Sequence, residues 1–217
     1  MSTQTDLENL MGDVLRILPQ LDGWCTPEKA QALVKYILQE KPDLVVELGV
    51  FGGSSFVPQL MALRFNQKGK GVGIDPWSKD ASLENMQSEV NREWWGNLNY
   101  DAIYKKLEQF LLVHGLTGIT ELIKSKSENC VDRFENESIG LLHIDGNHSE
   151  PQSFADATKY LPKVKPGGLI VFDDIWWTDG NEDVTTRRAI MFLLEHCTRL
   201  ELVGKDCMIL RKNSPKK

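Results

Sequence analysis

The sequence predicts an α/β fold, an open and mostly parallel sheet with helices on both faces. Short apolar runs such as Leu44–Leu48 alternate along the chain with segments of helical periodicity, which is typical of parallel strands joined by crossover helices. Acids follow directly on three of these runs, at Asp75, Asp145 and Asp173. Because the carboxyl ends of parallel strands lie at one edge of the sheet, where ligands bind, we expect these acids at that edge.

The composition is that of a single globular domain that binds a small molecule. A chain of 217 residues, 41% of them hydrophobic, can bury the core of one α/β domain with some additional helices. A net charge of −6 argues against nucleic-acid binding, which needs a basic surface. The chain has no apolar run of about 18 residues and no signal-peptide pattern, so we expect a cytoplasmic protein without membrane association. The four cysteines form no Cys-x-x-Cys pair, which gives no support for a zinc or redox motif. The sequence is compatible with either a monomer or a homo-oligomer.

Two helices are predicted before the sheet, within residues 1–40. Residues 7–18 have apolar positions at helical spacing, and Thr26-Pro27 is a helix-start pattern. We expect these helices to pack on the sheet. The alternative is that they form a dimer surface or part of the cover of the active site. The main domain is predicted to span residues 41–212, and residues 213–217 form a polar, flexible tail.

A glycine loop follows the first predicted strand, at Gly49, Gly52 and Gly53. Glycines allow a tight turn and close approach of the backbone to a ligand, and the following helix offers free N–H groups at its start. The acid Asp75, at the end of the next strand, is well placed to accept hydrogen bonds from ribose hydroxyls. The alternative is a plain strand-to-helix turn without a ligand.

The run from Glu47 to Ser54, ELGVFGGS, resembles the first motif of class I S-adenosylmethionine-dependent methyltransferases, and Asp75 resembles their ribose-binding acid. The resemblance implies a Rossmann-like, seven-stranded sheet with one antiparallel strand. It also implies that the loop holds the methionine end of the cofactor. The glycine spacing differs from the Gly-x-Gly-x-x-Gly of NAD-binding dehydrogenases. The residues expected to bind S-adenosylmethionine are Glu47, Gly49, Phe51, Gly52, Ser54, Ser55, Asp75, Trp77, Ser125, Ser127 and Asp145.

The segment after the third predicted strand, residues 119–123, departs from the family pattern. Many of these methyltransferases carry an acid here that pairs with the adenine amino group, whereas this chain has Lys126. We therefore expect Ser125, Ser127 or a backbone group to contact adenine.

Residues 76–100 are irregular and longer than an ordinary connection, which predicts a lid or a substrate loop. Within it, Trp94 and Trp95 either stack on the acceptor or anchor the lid to the core. A helix over Tyr100–Val113 follows.

The acid pair Asp173-Asp174 follows the fifth predicted strand, residues 169–172, after a break at 166–168. Adjacent buried carboxylates repel one another and need a counter-charge, which a divalent cation supplies. Oxygen ligands favour Mg²⁺, Mn²⁺ or Ca²⁺ over zinc. The alternative is that the acids cap the next helix or bind Arg187 or Arg188.

The tetrapeptide Asp145-Gly146-Asn147-His148 together with Asp173-Asp174 resembles the metal-dependent sugar O-methyltransferases and the related cephalosporin hydroxylase group. That resemblance implies that Asp145, Asp173 and Asp174 bind magnesium and that His148 is the catalytic base. The chain departs from those relatives at Glu150, where they often have an aromatic residue. His143, by contrast, lies inside a buried strand and is expected to be a hydrogen-bonded core residue.

The sequence thus predicts an S-adenosylmethionine-dependent and magnesium-dependent O-methyltransferase for a small hydroxylated acceptor, such as a sugar or a natural product. A metal-free methyltransferase, a non-catalytic cofactor-binding domain and an NAD-dependent dehydrogenase remain open. A closing hairpin is predicted at residues 200–210.

Overall fold

The computed structural model describes residues 3–180 and 183–214. It consists of a seven-stranded sheet with helices on both faces. The strands are β1 Leu44–Leu48, β2 Lys70–Asp75, β3 Thr120–Lys124, β4 Ile139–Ile144, β5 Val164–Phe172, β6 Cys197–Val203 and β7 Cys207–Lys212. The helices are α1 Gln4–Ile17, α2 Pro27–Glu40, α3 Phe56–Asn66, α4 Lys79–Ser82, α5 Glu89–Gly96, α6 Tyr100–Val113, α7 Glu150–Tyr160 and α8 Arg187–His196.

The strand order is β3-β2-β1-β4-β5-β7-β6. Strands β1 to β5 pair in parallel, and β7 runs antiparallel to both β5 and β6. The predicted α/β sheet and its closing hairpin are therefore confirmed. The chain reverses its direction of travel across the sheet between β1 and β4, and ligands of open α/β sheets bind at such a switch point.

Continuous apolar runs form the central strands because both faces of the sheet are covered. Helices α1, α2, α3 and α6 pack on one face, around buried residues such as Leu33 and Phe56. Helices α7 and α8 pack on the other face, around residues such as Tyr160 and Leu193. The two apolar layers fix the sheet and leave its carboxyl edge free to carry polar groups.

The predicted break at residues 166–168 is wrong, because these residues belong to β5. Val164 already pairs with Ile139, and the next pair joins Leu169 to Leu141. The extra residues of β5 form a bulge, in which Gly167 adopts a positive φ of 76°. A Pro-Gly-Gly run therefore bends this strand without ending its pairing.

Helix starts agree with the capping pattern of the sequence. The Thr26 side chain accepts a hydrogen bond from the backbone N–H of Lys29, and Pro27 occupies the first turn of α2.

No helix in the described ranges is both long enough and apolar enough to cross a bilayer. Of the predicted tail, residues 215–217 lie outside the described residues, and Asn213 and Ser214 are exposed.

Candidate active site

A cavity of about 580 Å³ opens at the switch point, above the carboxyl ends of the central strands. The loop after β1, the acid at the end of β2 and the segments after β3, β4 and β5 all line it. Of the predicted site residues, those lining it are Gly49, Phe51, Ser54, Ser55, Asp75, Ser127, Asp145, His148 and Asp174. Those that do not line it are Glu47, Gly52, Trp77, Ser125 and Asp173.

The glycine loop is shaped by close backbone contacts. Gly49 has a positive φ of 84°, and a side chain there would collide with the carbonyl of Asp145. The carboxylate of Asp75 accepts hydrogen bonds from the N–H groups of Val50 at 3.0 Å, Phe51 at 2.9 Å and Trp77 at 2.6 Å. A carboxylate has about four acceptor positions, so three are taken by these N–H groups and about one remains for a ligand.

Trp77 lies beneath this loop and does not reach the cavity. Its ring is buried, and its Nε1–H donates to the carbonyl of Phe51 at 2.8 Å. Gly52 packs against Asp22, and the N–H of Cys25 donates to Ser54 Oγ at 3.3 Å. The segment before α2 therefore closes one side of the loop.

A chain of charged side chains is buried behind the cavity, and His143 lies at its centre. Its Nδ1 is 3.0 Å from Glu47 Oε2, and its Nε2 is 3.1 Å from Asp173 Oδ2. Lys29 Nζ reaches the other oxygen of Asp173 at 2.7 Å, while Ser55 Oγ donates to Glu47 at 2.7 Å. All three of His143, Glu47 and Asp173 have no exposed surface. We call this chain the buried network.

Opposite charges balance in the buried network. Although burial opposes the charged form, Glu47 and Asp173 raise the pKa of His143 to about 10. Asp173 has its pKa lowered to about 2 against the effect of burial, because His143 and Lys29 lie beside it. Lys29 in turn has a raised pKa, since Asp173 outweighs its desolvation. Two cations therefore neutralise two carboxylates without a metal ion.

The counter-charge for Asp173 thus differs from the predicted one. Lys29 Nζ and His143 Nε2 each lie beside one oxygen of the carboxylate, which does not line the cavity. Lys29 and His143 take the place proposed for Arg187 or Arg188, and Arg188 pairs with Glu150 at 2.8 Å. Ligand atoms of His143, Asp145 and Asp173 also lie within 4.8 Å of one another, but the two cations beside Asp173 favour a metal ligand set without it.

A second group of two carboxylates and a histidine faces the cavity. His148 Nε2 lies 3.1 Å from Asp174 Oδ2 and 3.5 Å from Asp145 Oδ1. The side chains of these residues are between 19% and 34% exposed, and the His148 ring packs against Trp177 at 5.2 Å. The ligand atoms of these three residues lie within 4.8 Å of one another, close enough to share a cation. We call them the cavity trio.

Burial and mutual charge tune the cavity trio. Burial and the neighbouring Asp173 raise the pKa of Asp145 to about 6. Burial also raises the pKa of Asp174. Against the effect of burial, Asp145 and Asp174 raise the pKa of His148 above its usual value. Two carboxylates facing one imidazole at a polar cavity are suited to take up a proton or to bind a cation.

The loop after β5 is held in place by two threonines. Asp174 has a positive φ of 53°, and its carbonyl accepts a hydrogen bond from Thr186 Oγ1 at 3.1 Å. Thr185 Oγ1 donates to the carbonyl of His148 at 2.6 Å. These bonds join the loops after β4 and β5, so Asp174 and His148 are held side by side.

Residues 76–100 lie over the cavity, with α4 and α5 in them. Lys126 forms an ion pair with Glu84 at 2.5 Å, which turns the ammonium toward this segment. Asp179 accepts hydrogen bonds at the start of α5 from the N–H of Gln87, from the N–H of Ser88 at 3.4 Å and from Asn91 Nδ2 at 3.1 Å. The segment is thus fastened to the loops after β3 and β5.

Four aromatic rings form a wall at the cavity, Trp24, Phe51, Trp94 and Trp95. Trp24 stacks on Phe51 with centroids 5.4 Å apart, and Trp95 lies edge-on to Phe51 at 5.5 Å. Trp24 and Trp94 remain 60% and 44% exposed. Contacts with Trp24 and Phe51 anchor the tryptophan pair of α5, while its exposed faces leave area for a ligand. We call these rings the aromatic wall.

Sequence reasoning missed several residues of the site. Lys29 lies at helical spacing with Leu33 and Ile37 on the buried face of α2, and a lysine on an apolar face is a signal for a buried charge. Asp156 likewise shares the buried face of α7 with Tyr160. For Trp24 the sequence holds no comparable signal, because its position depends on how α2 meets the glycine loop.

Comparisons with known proteins agree with this geometry. The family model of a methyltransferase domain matches residues 46–175, more than half of the chain. The uncharacterized protein y4gI of Sinorhizobium fredii is 23% identical over 175 residues, which are 76% of this chain. The chain spans 18% of the length of that relative.

Solved structures show the same fold. The O-methyltransferase TomG from Streptomyces achromogenes, involved in tomaymycin synthesis and solved with S-adenosylmethionine, is 13% identical with a TM-score of 0.62. That match covers 99% of this chain and 92% of TomG. An O-methyltransferase from Bacillus cereus solved with S-adenosylhomocysteine is 15% identical with a TM-score of 0.59, covering 94% of this chain and 91% of the other. The chain therefore belongs to the methyltransferase domain family and has the Rossmann-like class I methyltransferase fold that the sequence predicted.

Proposed function

We propose that this protein is an S-adenosylmethionine-dependent O-methyltransferase that methylates a hydroxyl of a small molecule such as a sugar or a natural product. The observation that carries the proposal is that the cavity trio and the glycine loop line one cavity. A methyl donor and a proton acceptor can thus meet the same substrate. The fold neighbours solved with S-adenosylmethionine or its product support the choice of cofactor.

The cofactor fits the loop after β1 and the end of β2. Gly49 brings the backbone into the cavity without a side chain, and Ser54 and Ser55 lie at the start of α3. Asp75 lines the cavity at the neighbouring strand end and keeps acceptor capacity for a ribose hydroxyl. These residues hold the donor in place, so that proximity to the acceptor supplies much of the rate enhancement.

His148 is the proposed proton acceptor for the hydroxyl. Its ring lines the cavity, and it is held by Trp177 and by the bond from Thr185 to its carbonyl. Asp145 and Asp174, which lie beside Nε2, stabilise the imidazolium that forms when the ring takes the proton. Such general base catalysis contributes about 10²–10⁴-fold to a rate.

Asp145 and Asp174 are the proposed ligands of a divalent cation, Mg²⁺ or else Mn²⁺ or Ca²⁺. Magnesium in enzymes is commonly held by one or two carboxylates together with waters and substrate oxygens, so two carboxylates at a polar cavity fit it. A bound cation would lower the pKa of an acceptor hydroxyl. Asp173 is left out of this set, because Lys29 and His143 already bind its two oxygens.

The acceptor site is proposed to lie between the cavity trio and the aromatic wall. Exposed faces of Trp24 and Trp94 offer a surface for the apolar face of a sugar or for a planar ring. Polar groups of Asn147 and Asp206 also line the cavity. A mostly apolar cavity with a few convergent polar groups is the usual form of a small-molecule site.

Calorimetry with S-adenosylmethionine, followed by assay of S-adenosylhomocysteine release with a panel of sugars and phenols, tests this proposal. We expect cofactor binding without an acceptor, and product release that requires an acceptor hydroxyl and stops when EDTA removes the cation. Activity that persists in EDTA would indicate a metal-free methyltransferase. Cofactor binding without turnover on any acceptor would favour a non-catalytic domain, and failure to bind the cofactor would overturn the proposal.

A further inference from the structure

One wall of the cavity is formed by the start of α7 and by the segment after β3. Ser149, Gln152 and Asp156 lie at helical spacing and all line the cavity, opposite Ser127 of the neighbouring segment. No part of the mechanism proposed above uses this polar wall. Its side chains offer both donors and acceptors of hydrogen bonds.

Asp156 is the most deeply buried member of this wall. It is only 3% exposed, and its Oδ1 accepts a hydrogen bond from Ser127 Oγ at 2.6 Å. Within the described ranges no side chain or backbone group donates to Oδ2. Gly146 leaves room beside this oxygen, since a side-chain carbon on Gly146 would lie 3.4 Å from it. Oδ2 is therefore an acceptor without a donor at the cavity.

Ser149 provides a second observation of the same kind. Its Oγ is buried and has no hydrogen-bond partner in the part of the chain that the structure describes, although the residue lines the cavity. A buried polar atom without a partner is costly, and Asp156 Oδ2 faces the same cavity without a donor among the described residues. A polar ligand in the cavity would supply both missing partners.

The position of the wall identifies which part of a ligand it meets. The N–H of Ser125 donates to the carbonyl of Asp75 at 3.1 Å, so the segment after β3 adjoins the proposed ribose site. Lys126 of this segment pairs with Glu84 and does not offer an acceptor. Burial raises the pKa of Asp156 to about 7. Such a carboxyl is stabilised by a donor group placed against Oδ2.

We propose that Asp156 recognises the exocyclic amino group of the adenine ring of S-adenosylmethionine, with Ser149 and Gln152 binding the neighbouring ring nitrogens. The inference rests on the proposed function. Asp156 would take the role of the acid that many methyltransferases of this class carry after β3. An amino group donates to Oδ2 of the ionised carboxylate, whereas a carbonyl at the same ring position is repelled by it. Asp156 is thus a specificity-determining residue that selects a 6-amino purine over a 6-oxo purine.

Calorimetry on the full chain, at a pH well above 7 where Asp156 is ionised, with S-adenosylhomocysteine and S-inosylhomocysteine tests the inference. The two compounds differ in the group at C6 and in the proton that the 6-oxo ring carries on N1, so the Asp156→Asn variant assigns the preference to this side chain. We expect the wild type to bind the adenine compound at least about tenfold more tightly, since a 6-oxo group would place a second acceptor against Oδ2 and leave that oxygen without a donor. In Asp156→Asn the remaining oxygen accepts from Ser127 and the amide faces the base, so the preference should fall about tenfold.

Glu128→Gln is the matched control, because it removes a neighbouring carboxylate that does not line the cavity. We expect it to keep the wild-type preference. Equal binding of the two compounds by the wild type, or an unchanged preference in a folded Asp156→Asn, would overturn the inference. Equal binding by the wild type overturns the inference even when the variant fails to fold. Failure of the wild type to bind either compound would instead overturn the proposed function.

Discussion

Two histidines five positions apart, His143 and His148, have the same kind of neighbours and different roles. Each lies within 3.5 Å of two carboxylates at the carboxyl edge of the sheet. His143 has no exposed surface and uses both ring nitrogens, one for each carboxylate. His148 directs a single nitrogen, Nε2, toward both of its carboxylates and lines the cavity.

The difference lies in whether the charges are already satisfied. In the buried network, Lys29 adds a second cation, so that two positive and two negative groups balance. The cavity trio has two carboxylates for one imidazole and is partly open to solvent. A balanced, closed set is costly to break by removing one member, whereas an unbalanced, open set can accept a proton or bind a cation. Identical residue types therefore do not indicate identical roles.

Replacing His148 by Ala is expected to have the largest effect on activity. Because the proton acceptor is lost while the glycine loop is untouched, kcat should fall by about 10²–10⁴-fold with cofactor binding unchanged. Single-turnover methyl transfer and calorimetry with S-adenosylmethionine measure the two quantities. Full activity in this variant would exclude His148 as the base.

Replacing His143 by Ala is expected to act on stability. Glu47 and Asp173 would then remain buried with one cation fewer, which costs about 3–5 kcal/mol in the free energy of unfolding. Denaturant unfolding measures this loss. The matched control is His196→Ala at the exposed end of α8, for which a change within about 0.5 kcal/mol is expected. Wild-type stability in His143→Ala would contradict a structural role for the buried network.

The loss of stability in His143→Ala is expected to depend on pH. His143 has a pKa of about 10 in the folded protein against 6.5 for the free side chain, so the native state binds the extra proton. Its stabilising contribution is fully present below pH 6.5 and is lost as the pH rises through 10. The stability difference between wild type and His143→Ala should therefore shrink over that interval.

Single replacements of Asp173 and Asp174 are expected to have different effects. Asp174→Asn should weaken the response of activity to Mg²⁺ by at least about tenfold, because a proposed ligand is lost. Asp173→Asn should instead lower stability and leave that response in place, since its carboxylate binds Lys29 and His143. Magnesium titrations of activity after EDTA treatment, run beside thermal unfolding, measure both effects. A lost magnesium response in a folded Asp173→Asn would restore Asp173 to the metal site.

Much of the fold was predictable because its signals are local. The apolar runs, the glycine loop after β1 and the acids at the strand ends each lie within a few consecutive residues. The start of β5 was missed, because pairing with β4 carries the strand through a Pro-Gly-Gly run that usually ends one. Of the site, the sequence indicated the strand-end acids and His148, and the resemblance indicated their roles.

By itself the sequence determined which groups stand at the carboxyl edge, because a strand end and the residue after it are neighbours in the chain. Only the tertiary structure decided which of those groups are buried in the interior and which line the cavity. Asp173 and Asp174 are adjacent, yet Asp173 turns into the interior and Asp174 toward the cavity. The partner that decides this is Lys29, which α2 brings from a distant part of the chain. A counter-charge acts through space, so its choice of acid depends on how the helices pack on the sheet.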